Sequence, residues 1–267
     1  MLMPNNKLSG ILLDCDYRVD SAQNAVIQVY VSTEKEILRF EDPAFRPYFF
    51  VLCKDPQAAA KRIAEFDFGE GIKALGAWHV QKPNAENAVR ISLKNPGDLV
   101  KARERVKEIE GVIEKREYDI PFANRYLMDM ALKPMAGVEI EFEEKEISTG
   151  EAKMKMPVRI IKKILAKETP HDLRIVALDL ETLSPGRFSD PKKDPILMCV
   201  LVTARGAEKP IAKVYTHKPT DKPGTVVLKT EKEMIGKVLS DLREFCPDVL
   251  VTYNGDTFDL PYIKTRC

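Results

Sequence analysis

The second half of the chain is organised around residues 175–182, IVALDLET, where two carboxylates interrupt a run of apolar residues. The apolar residues at 175–178 and 180 predict a nearly continuous strand that is covered on both faces. Alternate residues of a strand point to the same face, so Asp179 and Glu181 share one. Two like charges this close repel each other unless they are protonated, hydrated or neutralised by a cation. A divalent metal is the simplest explanation for the pair.

A third carboxylate lies further along, in residues 253–262, YNGDTFDLPY. Asn254 and Gly255 predict a turn after a strand, and Asp259 falls at or near the start of the next segment, where a helix can begin. Asp256 competes for the same role, but an aspartate directly after a turn glycine more often forms the turn. A lone DxE or NGD occurs by chance in many proteins. Together, in this order and on these elements, the motifs favour a functional site.

If the first and fourth strands of this region are neighbours, Asp259 comes close to Asp179 and Glu181. Such a cluster suits two hard divalent cations. Two cations of this kind can hold the attacking and leaving oxygens of a phosphodiester in line and activate a water. The predicted reaction class is therefore phosphodiester hydrolysis.

The elements around these motifs predict an α/β domain. Strands are expected at 173–181, 196–203, 211–216 and 248–253, with a helix at 231–245 between the last two. Thr230 and Glu233 form a capping box at the start of that helix, and Pro247 follows its end. This order matches the first part of an RNase H-like core, in which acidic residues gather at one end of the sheet.

The first half of the chain predicts a β-rich region followed by a regular α+β pattern. Strands are expected at 10–16, 25–31 and 35–40, then a strand at 48–53, a helix at 55–65, strands at 73–82 and 87–94, a helix at 97–109 and a strand at 112–117. Asn95, Pro96 and Gly111 delimit the second helix. The order βαββαβ is the split ferredoxin-like arrangement, which by itself indicates no single function.

A charged segment separates the two halves. Residues 138–147, VEIEFEEKEI, alternate apolar and acidic side chains, residues 153–164 are basic and apolar, and Ser-Thr-Gly lies between them. This pattern is typical of a hairpin or a charged connector. The acidic run could also bind a metal or a basic partner, but a solvated strand face is favoured. The expected division is an N-terminal domain at 1–137, a connector at 138–170 and a partial RNase H-like domain at 171–267.

Composition sets further limits. The 267 residues carry a net charge of +1, so any contact with nucleic acid depends on local basic surface. The five cysteines form no CxxC pair, which is typical of a reducing compartment, and the three histidines, His79, His171 and His217, lie far apart along the chain. No apolar run approaches the length of a membrane helix, and an intracellular protein is expected.

Four stretches of the chain together resemble family B DNA polymerases, particularly the archaeal replicative type. DLET at 179–182 and YNGDTFDLPY at 253–262 are similar to the first and second exonuclease motifs of that family. The resemblance extends upstream through FRPY at 45–48 and YDIPFANRYL at 118–127, so it covers almost the whole chain. It implies an N-terminal domain and a 3′-5′ proofreading exonuclease domain, followed in the family by the polymerase domains.

The resemblance also implies roles for individual residues. By this resemblance, Asp179 and Glu181 correspond to the metal-binding pair of the exonuclease, and Asp259 corresponds to its essential aspartate. The implied cofactor is Mg²⁺ or Mn²⁺. Residues along the path of the single-stranded 3′ end correspond to Thr182, Asn254 and Phe258. An aromatic such as Phe258 can stack on a base, or it can belong to the core.

Archaeal members carry a pocket in the N-terminal domain that captures uracil in the template strand. By motif, this pocket corresponds to Tyr17, Pro47, Tyr48, Asp98, Leu99, Ile120, Pro121, Phe122 and Arg125. A tight apolar slot excludes the thymine methyl by size. Leu99 departs from the smaller valine usual in the family, and the alternative is that these side chains only pack the domain.

The third exonuclease motif and the polymerase motifs of the family are absent from residues 1–267, so activity of this chain alone is expected to be weak or lost. The implied partners are single-stranded or primer–template DNA, the remainder of a polymerase chain and a sliding clamp, in the cytoplasm at the nucleoid and away from membranes. One alternative is a non-catalytic module that binds single-stranded nucleic acid. A free-standing RNase H-like nuclease would need a further downstream carboxylate.

Overall fold

The computed structural model describes residues 6–81, 87–149, 154–169, 172–184, 186 and 188–267. These residues form two compact units, Met1–Thr169 and Pro170–Cys267. Gly150, which lies between the two arms of the predicted hairpin, and His171 are outside the described residues. None of the helices that the structure describes is long and apolar enough to cross a membrane.

The first unit contains nine strands and three helices among its described residues. They are β1 (Asn6–Val19), β2 (Ala25–Ser32), β3 (Ile37–Asp42), β4 (Tyr48–Cys53), α1 (Pro56–Glu65), β5 (Gly76–Gln81), β6 (Asn87–Ser92), α2 (Pro96–Arg105), β7 (Val112–Arg116), α3 (Phe122–Asp129), β8 (Gly137–Thr149) and β9 (Met154–Ala166). A single turn of 3-10 helix, Val106–Glu108, extends α2.

A closed five-stranded barrel, in the order β1-β2-β3-β9-β8, forms one half of this unit. Its neighbouring strands are antiparallel except where β3 meets β9, with Phe40 opposite Arg159. Alternating apolar residues from all five strands fill the interior, among them Ile27, Phe40 and Ile140, each fully buried.

The segment predicted as a hairpin or a charged connector is a hairpin, and both of its strands belong to that barrel. Its two arms pair as β8 and β9 over their whole length. Val138, Ile140 and Phe142, the apolar half of the alternating pattern, lie in the core, while their acidic neighbours face outward. The period-2 pattern therefore predicts the two strands correctly, but the closing contact between β9 and β3 has no local sequence signal.

A second, four-stranded sheet has the order β5-β6-β4-β7 and is antiparallel throughout. One face carries α1 and α2 over a core of buried residues from both layers, including Phe49, Val89 and Ile91 of the sheet. Asn95 caps α2 as predicted, since its side chain accepts a hydrogen bond from the Asp98 backbone. The element order along the chain is βαββαβ, as the sequence predicts.

Residues 122–129 form a helix, α3, directly after Pro121. Pro121 occupies the N-cap position, just before the first helical residue, so its missing N–H costs no helical hydrogen bond. Phe122 and Tyr126, four residues apart, bury one face of α3 against the barrel.

The second unit is a mixed α/β layer. Its elements are β10 (Arg174–Thr182), β11 (Ile196–Arg205), β12 (Ile211–Thr216), β13 (Thr225–Val227), α4 (Glu231–Phe245), β14 (Val249–Val251) and α5 (Asp259–Arg266). The sheet order is β13-β12-β11-β10-β14, with β14 parallel to β10. The first and fourth predicted strands are therefore neighbours. The short strand β13 was not predicted.

The parallel pair of β10 and β14 is held by a buried ion pair. Asp248 accepts hydrogen bonds from the Arg174 backbone at 2.8 Å and from its guanidinium at 2.9 and 3.1 Å. This bidentate contact fixes the register of Ile175 opposite Val249. The end of β14, and with it the loop that follows, is thereby placed beside β10.

Candidate functional site

Asp179 and Glu181 lie on the face of β10 that points away from the core. Val176, Leu178 and Leu180 face the helices and are buried, while the two acidic residues between and after them are exposed. A strand covered on one face places its alternate residues in this way. The expectation that both faces of this strand are covered does not hold for these positions.

Asp259 begins α5 and is buried, with only 3% of its surface exposed. Burial and the nearby charge of Asp179 raise the pKa of its carboxyl group. Its carboxylate accepts hydrogen bonds from the backbone of Leu180 and of Asp259 itself, which oppose that shift. The side chain of Asp259 therefore lies against β10, at the position of the acidic pair.

The pKa of a neighbouring thiol, that of Cys199, is affected by the same two carboxylates. Burial raises the pKa of Cys199 on β11 to about 12, and the charges of Asp259 and Asp179 add to the effect. Cys199 is paired with Leu180 across the sheet. Asp179 and Asp259 are thus brought together from residues 80 positions apart.

The turn before α5 is tightly built. The Gly255 backbone N–H donates to the Thr252 hydroxyl at 2.9 Å, and a Cβ on Gly255 would lie 2.0 Å from that oxygen. Only glycine fits here without moving Thr252. Asp256 is exposed in this turn, whereas Asp259 is buried beside β10, which favours Asp259 of the two aspartates.

Two side-chain contacts fix the position of α5. The Tyr262 hydroxyl, on a fully buried ring, donates to the carbonyl of Asp194 at 2.8 Å. Arg266 donates to Glu231 at the start of α4, and the Glu231 carboxylate also accepts from the Ile196 backbone at 2.8 Å. These positioning residues were not singled out by the sequence, because nothing in their spacing indicates a partner so far along the chain.

Carboxylates of this kind are ligands that Mg²⁺ and Mn²⁺ prefer. A buried carboxyl with a like charge beside it fits a cation, because the cation would relieve both the burial and the repulsion. Within the part of the chain that the structure describes, no three His, Cys, Asp or Glu side chains are grouped to hold one ion. Glu181 projects from the same strand face but does not join Asp179 and Asp259 in such a group.

The three residues predicted to contact the single-stranded 3′ end lie at the end of β10 and in the turn before α5. Thr182 ends β10, and Asn254 is exposed in the turn, where its backbone carbonyl accepts from Phe258 at 2.8 Å. The Phe258 ring packs on Tyr262, with centroids 5.3 Å apart, and is partly buried against the core. Its packing role is therefore visible in the structure.

A separate cavity of about 220 Å³ lies in the first unit. Eight of the nine residues predicted for the pocket line it, and Asp98 does not. The eight are Tyr17, Pro47, Tyr48, Leu99, Ile120, Pro121, Phe122 and Arg125. They come from β1, the start of β4, α2 and the segment leading into α3, so the fold gathers four distant stretches of sequence around one opening.

Tyr48 and Arg125 form the polar wall of this cavity. The Tyr48 hydroxyl donates to Asp129 at 2.6 Å, and burial together with that bond raises its pKa to about 12. Arg125 is 4% exposed, pairs with Glu117 at 2.6 Å and lies over the Tyr48 ring at 4.7 Å. Its Nε is buried and has no hydrogen-bond partner among the described residues. A buried donor without a partner favours a ligand with an acceptor group.

Comparison with known proteins gives a match over more than half of the chain. The model of a family described as DNA polymerase family B, exonuclease domain, matches residues 113–267. The chain belongs to this family. The matched range includes both exonuclease-like motifs of the second unit, at 179–182 and 253–262, and residues 118–127 of the first.

Named relatives of this family B chain extend the match upstream. It is 34% identical over 262 residues to a DNA polymerase of Thermococcus sp. (strain 9oN-7) and 31% identical over 261 residues to DNA polymerase 1 of Pyrococcus abyssi. Each alignment covers 96% of the chain and 29% of the relative. The chain thus spans less than a third of the length of these relatives.

A solved structure shares the fold. The family B DNA polymerase from the hyperthermophilic archaeon Pyrobaculum calidifontis matches 97% of the chain, and 32% of its own chain, with a TM-score of 0.66 at 24% identity. The resemblance to archaeal family B polymerases drawn from four short motifs is therefore confirmed over nearly the whole chain.

One exposed aromatic in the groove beside Asp179 was not predicted. Tyr253, directly after β14, is fully exposed. With Asp179, Val200 and Val202 it lines an open groove of about 540 Å³ on the uncovered face of the sheet. No local pattern distinguishes Tyr253 from Phe258, since both are aromatics in one segment. Only the fold separates the exposed ring from the packed one.

Proposed function

We propose that this chain supplies template-strand uracil recognition and part of a metal-dependent 3′-5′ proofreading exonuclease to a DNA-directed DNA polymerase that acts in replication. The family match and the DNA polymerase relatives support this assignment. Its partners would be primer–template DNA, the polymerase domains that complete such enzymes and a sliding clamp. The two units would divide the work, with uracil recognition in the first and the exonuclease site in the second.

The proposed architecture follows from the two strand orders. In chain order, the sheet β5-β6-β4-β7 has its second, third, first and fourth strands side by side, which supports a ferredoxin-like subdomain. In the second unit, β12-β11-β10-β14 places the first strand between the second and fourth, with only β14 parallel to it, which supports an RNase H-like core.

The exonuclease assignment depends mainly on one observation, the buried Asp259 carboxyl lying beside Asp179. Asp179, Glu181 and Asp259 would hold divalent cations. A metal bound there would supply charge stabilisation for the leaving oxygen and a water of lowered pKa for phosphodiester hydrolysis. Thr182, Asn254 and Phe258 would contact the single-stranded 3′ end.

Mn²⁺ titration of the intact chain tests this site. We expect Asp179→Ala and Asp259→Asn each to weaken Mn²⁺ binding by at least about tenfold, because each removes a charged oxygen ligand. Asp256→Ala is the matched control, since Asp256 is an exposed aspartate in the adjoining turn. An Asp179→Ala chain that titrates like the unchanged chain would overturn the metal site.

The uracil assignment depends on the cavity of the first unit. Its walls are mostly apolar, and the buried Arg125 Nε offers a donor without a partner among the described residues. A narrow apolar slot with few polar groups selects by size and by satisfied hydrogen bonds. Uracil lacks the methyl group of thymine, so a slot of this kind would accept uracil and exclude thymine.

A further inference from the structure

The four-stranded sheet of the first unit has one face that α1 and α2 do not cover. Side chains directly opposite one another on neighbouring strands share a face. Trp78 on β5 lies opposite Arg90 on β6, Arg90 opposite Phe50 on β4, and Phe50 opposite Arg116 on β7. These four residues, which we call the cross-strand row, therefore run across the sheet as aromatic, cation, aromatic, cation.

Trp78 lies as a flat platform at one end of the row. A Cβ on Gly76 would meet the indole ring at 2.4 Å, so the ring lies directly over that glycine. Half of the tryptophan surface remains exposed. An indole with one face against the backbone and the other open is suited to stacking on a flat partner.

Neither cation of the row is held in a buried ion pair by a residue that the structure describes. Arg90 forms no ion pair with any residue that the structure describes, and its Nε is buried without a hydrogen-bond partner there. Its guanidinium lies 3.7 Å from the Tyr48 ring centroid. Arg116 pairs with Glu114 at 3.1 Å, but both side chains are about half exposed, and exposed pairs of this kind contribute little.

The row is continuous with the cavity of the first unit. Tyr48 lines the cavity, and its ring contacts the Phe50 ring, with centroids 5.4 Å apart. Arg90 covers the same Tyr48 ring. A strand with one base in the cavity would therefore meet Tyr48, then Arg90 and Phe50, and then Trp78.

We propose that the cross-strand row binds single-stranded DNA next to the base held in the cavity, with Trp78 stacking on a base, Phe50 supplying apolar surface beside it, and Arg90 and Arg116 contacting phosphates. The alternation of rings and cations matches the alternation of bases and phosphates in a single strand. Four-stranded sheets with exposed aromatics stack two or three bases in this way. The direction in which the DNA strand crosses the row depends on the proposed uracil pocket, but the binding of DNA by the row does not.

Trp78 is the only tryptophan of the chain, so its fluorescence reports on the row directly. We expect a short oligothymidylate without uracil to quench this fluorescence. Labelled-oligonucleotide anisotropy should give roughly 5- to 150-fold weaker binding for Trp78→Ala, the range for one lost stacking contact. Gly76→Ala should weaken binding too, because its Cβ displaces the indole without removing it.

Arg90→Ala should weaken binding and lower the dependence of log K on log salt concentration by about 0.7, the value for one phosphate contact on a single strand. Lys61→Ala is the matched control, because Lys61 is an exposed cation on α1, on the covered side of the same sheet. Melting temperatures of all variants verify that each one folds.

The outcomes separate this inference from the proposed uracil recognition. If oligothymidylate quenches Trp78 but uracil gives no added affinity, the row is supported and the uracil pocket fails. If uracil adds affinity while Trp78 fluorescence and the Arg90→Ala affinity stay unchanged, the row is overturned and the pocket stands. Absence of any oligonucleotide binding overturns both.

Discussion

At the scale of single residues, Leu99 decides how well the proposed pocket can take uracil. It lies on α2, lines the cavity and is partly buried against the core. Replacing it with valine removes one methylene from the wall, and one methylene in an apolar pocket changes affinity by about 1–3 kcal/mol. We expect Leu99→Val to strengthen binding of a uracil-containing single strand roughly 5-fold or more, measured by anisotropy against the thymine strand.

The opposite change should close the pocket. Leu99→Arg places a long charged side chain in the cavity, and we expect the preference for uracil over thymine to be lost. Met128→Arg is the control, since Met128 is an exposed residue of α3 that does not line the cavity. Equal affinity for uracil and thymine in the unchanged chain and in Leu99→Val would contradict uracil recognition.

Most of the candidate site residues could be selected from the sequence, but the packing around them could not. Asp179 and Glu181 could be predicted because strand periodicity fixes which residues share a face. The burial of Asp259 could not, because it results from Tyr262 and Arg266 anchoring α5 to residues about 70 and 35 positions away. Asp98 was predicted in the pocket together with Leu99 by motif, yet on a helix adjacent residues point in different directions, and only Leu99 lines the cavity.

At the scale of secondary-structure elements, local sequence patterns predicted a helix or strand correctly where the capping residues and the periodicity act within a few residues. Helix α4 begins after Thr230, whose side chain accepts from the Glu233 backbone, while Glu233 reaches back to the Lys229 backbone. The barrel was missed because β3 and β9 pair about 120 residues apart along the chain, which no local pattern records. Helix α3 was not predicted, although Pro121 at its N-cap position is compatible with a helix start, since no helical hydrogen bond is lost there.

The contact between α4 and α5 supports a prediction at this scale. Burial alone would raise the pKa of Glu231, but hydrogen bonds from Arg266 and from the Ile196 backbone outweigh it and lower the pKa. A lowered pKa contributes stability that is present above the ordinary value of 4.5 and is lost as the pH falls through the folded-state pKa. Glu231→Gln should therefore destabilise α5 by about 1–2 kcal/mol at neutral pH.

Hydrogen exchange of the α5 amides measures that local stability. The difference between Glu231→Gln and the unchanged chain should be full near neutral pH and should shrink in acid, when Glu231 itself becomes neutral. Glu244→Gln is the control, because Glu244 is an exposed glutamate on the same helix. A loss of stability that stays the same in acid would mean that the charge of Glu231 is not its cause.

At the scale of the whole molecule, the net charge of +1 gives no overall attraction for DNA. Both proposed sites therefore depend on local arrangement: carboxylates gathered on β10 and α5 in one unit, and rings and arginines gathered around Tyr48 in the other. Each of the two units, Met1–Thr169 and Pro170–Cys267, contains one of these arrangements together with the residues that position it. Ligands for the two sites should accordingly stabilise different parts of the chain.

Hydrogen exchange of the intact chain with each ligand separately tests this division. Mn²⁺ should slow exchange in β10, β14 and α5, because a ligand that binds only the folded state protects the structure around its site. A uracil-containing single strand in the presence of chelator should instead slow exchange in β4, β6 and the start of α3, next to the cavity and the cross-strand row. With Asp179→Ala the Mn²⁺ effect should vanish while the effect of the oligonucleotide remains. Protection by Mn²⁺ among residues 6–169 would contradict the assignment of the carboxylates as the metal site, because that site lies wholly within the second unit.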